Sequence, residues 1–510
     1  MINLYKFVII ISKNIFYKNK KKILYDDLNF KQLDFTNYKQ IKNFIFKKNF
    51  YKLNYKYVQT FEFLNFSKNL GGKDGINLSK NNIFEWYNIN KYKVNFPWNE
   101  DLASKRFLNI IYNYEFINSS STKKEKKHLD KIIHIHMERL VYEFNRKKIS
   151  EISHIDITAN YLSCFLLDKI NEKNVEYINL ILDYQIDKLG MHKSYNVLEH
   201  AKFINSLNEL KSIFLYFNYK LPTKIEEKIY KMTSILNEYF HYDGSIPLFN
   251  GSNNIYTKEI YKLLNKEEYL KSREFLYENN GISFYSDKNK KIFFDIVQPN
   301  KDKISSNLSA GTLSLEFSSG EEKIITNCGA SESYGKNPEY LRYSAAHSTV
   351  ILQNTNISEI KENNPHIKFP QSVTFNFEKN HSETIFEGSH NGYVKKFGKI
   401  VKRKLMFSEK LNKIIGEDSI ISIKKNENRT IFHIRFHLED GISFNFSNSK
   451  KNLILKTKKN NMWLFKSDIE LIVEDSIIVD KNYTIPTKQI VIKGIATNTK
   501  QVRRWSLEKI

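Results

Sequence analysis

The hydrophobic period of this chain changes once, from a helical repeat to a strand repeat, and that change limits it to helices followed by sheets. In the first half Phe203, Leu207, Leu210 and Phe214 recur at steps of four, three and four, and Ile225, Ile229, Met232 and Leu236 repeat the pattern. Val175, Ile178, Leu182, Ile186 and Leu189 form a third stripe, which predicts a helix stopping at Gly190. Before the second stripe, Thr223 stands three residues ahead of Glu226, the spacing of a reciprocal helix cap. From about Gly281 the period becomes two. Leu313, Leu315 and Phe317 alternate with Ser314, Glu316 and Ser318, and Ser319-Gly320 supplies a turn before Ile324 and Ile325. ISFNF at Ile442–Phe446, LILKT at Leu453–Thr457 and MWLF at Met462–Phe465 continue the hairpin pattern.

Successive amphipathic helices imply a helical array, whether bundle, solenoid or toroid. Many short strands imply an antiparallel sandwich. A chain of 510 residues suits two domains, each of roughly 200 to 250 residues. The boundary is expected between Asn250 and Gly281, where PLFNGSNN is irregular, giving a helical domain over 1–255 and a β domain over 270–510. Hydrophobic residues at 41% and aromatic residues at 14% are ample for two cores and argue against disorder.

The formal charge of +24 favours acidic ligands, but Lys and Asn run from end to end and no nucleic-acid motif accompanies them. A nucleic-acid partner is therefore not expected. Cys164 and Cys328 lie far apart, outside any CxxC pair or zinc spacing, so neither a disulfide framework nor a metal is expected, and no cofactor either. The P-loop, the dinucleotide glycine motif, HExxH and GxSxG are absent. The N-terminal run LYKFVIIIS is followed by Lys13, Lys18 and Lys20 without a small-residue cleavage site, and reads as an ordinary strand or helix rather than a signal peptide. No run of about eighteen apolar residues marks a transmembrane segment. Oligomeric state is left open.

Chemistry concentrates in His, Arg and Tyr near strand ends and loops. LRYSAAHSTVILQN puts Arg342 and His347 at the mouth of an apolar strand, with a turn through Ser344-Ala345-Ala346 able to bring them together. Imidazole exchanges protons near neutrality and guanidinium grips anions. In EGSHNGYVKKFGKIVKRK, His390-Asn391-Gly392 reads as a tight turn and Tyr393 as the start of a strand that also carries Arg403. RFHLEDG alternates Arg435 and His437 on one face, with Glu439 as the expected ion-pair partner. KLGMHKSYNVLEH places His192 and Tyr195 on an inter-helix loop, and HYDGSIPLFNG places His241 and Tyr242 on another. His134 and His136 in KIIHIHMERL read as packed or solvated helix residues.

The second half resembles the heparinase II/III-like domain. The likeness rests on NCGASESYGKNPEYLRYSAAHSTVILQN, SHNGY at Ser389–Tyr393, RFHL at Arg435–Leu438, the Trp463 strand, VEDSIIV and QIVIKG, in that order over roughly Glu274 to Ile510. The resemblance implies an incomplete (α/α) toroid followed by an antiparallel β-sandwich, with an acidic polysaccharide bound in a cleft between them. Lyases of this family cleave uronic-acid glycans by β-elimination. By resemblance His347 is the sandwich-side catalytic His and Arg342 the Arg just before it, while His192, Tyr195, His390 and Tyr393 line substrate subsites. The sequence departs from the family on the helical side. ISHIDITANYL offers His154 and Asn160 without the usual Asn-His pair, Glu199 stands where the catalytic Tyr is expected, and SSNLSAG lacks the His of its segment.

The expected function is polysaccharide lyase, with a non-catalytic acidic-glycan-binding or envelope-assembly protein as the alternative. The resemblance implies a cell-envelope or periplasmic setting, and the lack of a clear signal peptide a cytoplasmic one.

Overall fold

The computed structural model describes residues 56–264, 275–276, 281–331, 339–360, 368–380, 383–408, 413–423, 429–447, 449–480, 483–497 and 499–510. The N-terminal apolar run with Lys13, Lys18 and Lys20 lies outside the described residues, as do residues 332–338 of the NCGASESYGKNPEY stretch. By contacts the chain forms two units, one from the described part of Met1–Gln185 with Lys202–Lys231, the other from Ile186–Ala201 with Met232–Ile510.

The first unit is helical, and the incomplete (α/α) toroid expected of it is the fold observed. Its longer helices span Gly72–Asn90, Glu100–Tyr112, Lys123–Phe144, His154–Leu166 and Glu172–Gln185. The helices Val197–Tyr216 and Thr223–Glu238 carry the two sequence stripes, and Glu226 pairs with Lys211 at 2.8 Å. Among the described residues, reciprocal caps start the helices at Thr122 with Glu125, Ser153 with Asp156 and Asn171 with Asn174. Asp156 also accepts from Ser104 at 2.6 Å and pairs with buried Lys147 at 2.5 Å, so one carboxylate fastens the helix start to two neighbouring segments. His136 is fully buried and accepts from Arg106 Nε at 2.9 Å, while Arg106 lies 3.9 Å from the ring centroid of Trp86. This is the packed outcome for His136.

The third sequence stripe ends earlier than expected. The helix stops at Gln185, and the Asp187 carboxylate accepts the backbone N–H groups of Leu189, Gly190 and Met191, offering a local alternative to helix bonding.

The second unit is a sandwich of two antiparallel sheets. In chain order its strands are β1 Phe275–Leu276, β2 Ile282–Ser286, β3 Lys290–Asp295, β4 Leu315–Ser319, β5 Glu322–Thr326, β6 Val350–Leu352, β7 Val373–Lys379, β8 Thr384–His390, β9 Lys399–Ser408, β10 Lys413–Ser422, β11 Thr430–Leu438, β12 Ser443–Phe446, β13 Asn452–Lys456, β14 Met462–Ser467, β15 Leu471–Asp480, β16 Tyr483–Ala496 and β17 Gln501–Lys509. One sheet runs β1-β2-β3-β4-β5-β11-β16-β15 with β6 also on β11, and the other runs β12-β13-β14-β17-β10-β9-β8-β7. Phe294, Phe317, Phe386, Phe436, Trp463, Phe465 and Trp505 fill the space between them. At their centre buried Arg403 pairs with Asp418 at 2.6 Å, and Trp505 donates to the same carboxylate at 2.9 Å.

Two local expectations are corrected. Tyr393 opens a single helical turn, Val394–Phe397, rather than a strand; Gly398, in the left-handed conformation, ends that turn, and β9 with Arg403 begins after it. Arg435 pairs with Glu474 at 2.8 Å and not with Glu439, because residues four apart along an extended chain stand about 13 Å from each other, whereas the long Arg435 side chain reaches across β16 to Glu474 on β15.

Candidate functional site

Alternation along the strands sends Ile292, Phe294, Leu315 and Phe317 into the sandwich core and Phe293, Asp295, Glu316 and Ser318 to the opposite side of the sheet. That side is also buried, because the segment after the helix Thr223–Glu238 lies on it. Tyr239 stacks on Phe293 with centroids 5.8 Å apart and donates its hydroxyl to the Ile282 carbonyl. His241 meets Phe293 edge-on.

Glu316 is fully buried and gathers donors from several segments. Its Oε1 accepts from the backbone N–H of Leu248, the N–H and side-chain amide of Asn327, each at 3.1 Å, and Thr326 Oγ1 at 3.4 Å. Oε2 faces His241 Nε2 at 3.0 Å and Lys323 Nζ at 3.6 Å. Burial pushes the Glu316 carboxyl up, but Lys323 and the His241 hydrogen bond outweigh it and the net shift is downward. Burial holds His241 below its ordinary value. We assign Nε2–H as its donor to Glu316 and Nδ1 as acceptor from the Ser318 hydroxyl at 2.8 Å.

Asn327 passes this anchoring to the next segment. Its Oδ1 accepts the backbone N–H of Ser348 at 2.9 Å. Ser348 Oγ donates to the Thr326 carbonyl at 2.7 Å and accepts the His437 N–H at 2.9 Å, and Arg403 donates to the Ser348 carbonyl at 2.7 Å. The residue after His347 is thus held from four sides.

Arg342 ends one short 3₁₀ turn and Ser344–Ala346 forms the next, so the chain does turn between Arg342 and His347. Both residues meet the 306–311 loop. Arg342 donates to the carbonyls of Ser306 at 2.6 Å and Leu308 at 2.9 Å, and Ser344 Oγ to that of Ala310 at 2.6 Å. Arg342 therefore fixes the loop. His347 packs against Gly311, is 2% exposed, and neither ring nitrogen has a hydrogen-bond partner among the described residues. Burial lowers its pKa to about 4, with Glu316 acting the other way, so the ring is neutral at neutral pH with one donor and one acceptor unused.

The other buried imidazoles differ. His437 directs Nε2 to the Ala345 carbonyl at 3.0 Å and Nδ1 to Ser476 Oγ at 2.7 Å, and burial, reinforced by His347, lowers it to about 3. His200 accepts the His192 N–H on Nδ1 at 3.1 Å and donates from Nε2 to the Met232 carbonyl at 2.9 Å. It thereby fixes the loop of His192 and Tyr195. His192 is half-buried, with Nδ1 2.8 Å from Ser194 Oγ. Tyr195 is buried with φ +48.

Asn250 links this loop to the segment beside His347. Its Nδ2 donates to the Tyr195 carbonyl at 3.3 Å and its Oδ1 accepts the Ser309 N–H at 3.1 Å, while its carbonyl accepts from Asn196 at 2.9 Å. His390 ends β8 and Tyr393 follows three residues later. Each is 1% exposed, and Tyr393 donates to the Thr355 carbonyl at 2.9 Å. Burial and then Arg403 lower His390 to about 3.

The structure therefore brings Arg342, His347 and, through Asn250, the Tyr195 loop onto one segment, and leaves His390 and Tyr393 buried behind it, where the Tyr393 hydroxyl interacts with Ser344 and His390 with Arg403. Glu316, Asn327, Asn250 and His200 escaped the sequence reading, although Glu316 stood at an alternating position of a recognised strand. Among the described residues no His, Cys, Asp and Glu side chains cluster as a metal site, and no helix is long and apolar enough to cross a membrane.

Residues 271–506 match the family described as heparinase II/III-like, C-terminal. The match covers the sandwich part of the chain, and the resemblance there is to the heparinase II/III-like family. Heparan sulfate lyase HepC from Pedobacter heparinus is similar in fold, with a TM-score of 0.60 at 12% identity, covering 100% of this chain and 87% of that one. A heparinase III structure gives 0.66 at 13% identity over 89% of this chain and 75% of the other. A further heparinase III gene product gives 0.64 at 10% identity, over 99% and 84%. No curated protein matches the chain by sequence. In the heparinase II/III-like domain, His347 stands just before β6 and Arg435 and His437 on β11.

Proposed function

We propose that this protein is a polysaccharide lyase that cleaves a uronic-acid-containing glycan by β-elimination. The heparinase II/III-like match over residues 271–506 and the toroid-plus-sandwich fold support the lyase class. The observation that carries the reading within this chain is His347, a neutral buried imidazole with two unpartnered nitrogens on a segment held from four sides.

In the proposed step a base removes the C5 proton of the uronate, the electron pair forms the C4–C5 double bond, the C4–O4 bond breaks, and the leaving oxygen takes up a proton. His347 transfers a proton in this sequence. Arg342 orients the 306–311 loop against it, His192 and Tyr195 line a sugar subsite, and His390 with Tyr393 backs the wall behind. The net charge of +24 attracts the acidic polymer. Mass spectrometry of products from a panel of uronic-acid polysaccharides tests this. Elimination leaves a non-reducing end one water lighter than hydrolysis does, and only the lighter product fits the proposal.

Glu199, at the position where the resemblance places a tyrosine, favours a second reading, a glycan-binding protein without catalysis. That reading predicts retention of the same polymers with no change in their length.

A further inference from the structure

Glu316 lies in no motif of the chain, yet it joins the segment carrying His241 and Leu248 to the segment carrying His347. We propose that Glu316, acting through Asn327, is a positioning residue for His347. This assignment rests on the catalytic role proposed for His347.

The path is short and continuous. Glu316 Oε1 receives both the backbone N–H and the side-chain amide of Asn327, which fixes the Asn327 rotamer, and the remaining oxygen of that amide receives the Ser348 N–H at 2.9 Å. An amide held at its nitrogen end leaves its oxygen in one place, so the backbone just after His347 inherits the placement of Glu316. The groups facing Glu316 are His241 and Lys323, with Asp243 and Glu439 interacting with Lys323 in turn. Lys323 and the His241 hydrogen bond keep the Glu316 charge in place, and a buried carboxylate bonded to so many donors has no room to swing. Glu316 also interacts electrostatically with His347 itself, favouring the imidazolium that forms when His347 takes a proton.

The test uses full-length wild type with Glu316→Gln, Asn327→Ala and a control, Glu322→Gln. Glu322 is a buried carboxylate on β5 bonded to Thr457, Asn461 and the Lys459 N–H, away from this path. The imidazole ¹⁵N signals of His347, identified by their loss in His347→Ala, report its placement without any need for activity. Glu316→Gln and Asn327→Ala are expected to move those signals and to lower kcat by about tenfold or more with KM little changed. Glu322→Gln is expected to leave both in place. Should Glu316→Gln not fold, Asn327→Ala decides alone. Wild-type His347 signals in either folded relay variant overturn the proposal. Shifted signals in the relay variants, beside a wild type that yields no elimination product, keep the relay and remove the lyase reading.

Discussion

Gly311 lies so close to His347 that a Cβ on Gly311 would stand 2.9 Å from the imidazole Cγ and 3.1 Å from Cδ2. The ring has no space to retreat, since it is buried and the residue after it is anchored to Asn327 and Arg403. Gly311→Ala should therefore displace the ring, lowering stability by about 1–3 kcal/mol for overpacking and lowering activity more steeply than stability. Urea unfolding read beside initial rates checks both.

Asn250 has φ +52 and bridges the Tyr195 carbonyl to the Ser309 N–H. Asn250→Gly keeps the backbone conformation and loses the bonds, whereas Asn250→Ala loses both. The alanine variant should be less stable than the glycine variant by roughly 1–2 kcal/mol, and both should raise KM through a loosened Tyr195 loop. Thermal melts and steady-state kinetics measure the two effects.

Arg403 is buried with Asp418 and also holds the carbonyls of Leu313 and Ser348. Removing one partner leaves the other charge in the core. Asp418→Ala is expected to cost about 3–5 kcal/mol, read as a lower denaturant midpoint.

Among the buried imidazoles, burial chiefly lowers His200 and His347 to about 4 and His390 and His437 to about 3. In the unfolded chain they return to about 6.5. Because their folded values are depressed, the stability they support is present above pH 6.5 and is lost as the pH falls toward 4 and 3. A tenfold change in proton affinity is worth about 1.4 kcal/mol, so unfolding midpoints should fall steeply between pH 6 and 4. Replacing His390 with Phe should flatten that slope, and urea titrations at several pH values would show it.

The fold was largely readable because its two halves bury one stripe or one face each, and a change of period from 3.6 to two is visible in any such chain. The hairpin Leu315–Ser319 to Glu322–Thr326 follows directly from alternation around Ser319-Gly320. The failures share a cause. Where the third helical stripe stops was decided by the Asp187 side chain competing for backbone donors, and the pairing of Arg435 by a carboxylate two strands away on β15, neither of which leaves a periodic mark. The site was half readable. His347 and Arg342 stood out as residue types at a strand mouth, but Glu316, Asn250 and Asn327 have ordinary types at ordinary positions and matter only through long-range partners. Alternation sent Glu316 off the sandwich core without revealing that Tyr239 and His241 would cover it.

Ultraviolet absorbance of the conjugated unsaturated uronate, followed as wild type and His347→Ala act on the same panel of uronic-acid polysaccharides, decides whether His347 drives an elimination. Absorbance is expected to rise with wild type on at least one polymer and to be lost in a folded His347→Ala protein. Equal absorbance from both proteins, or none from wild type on any polymer, would contradict the role proposed for His347.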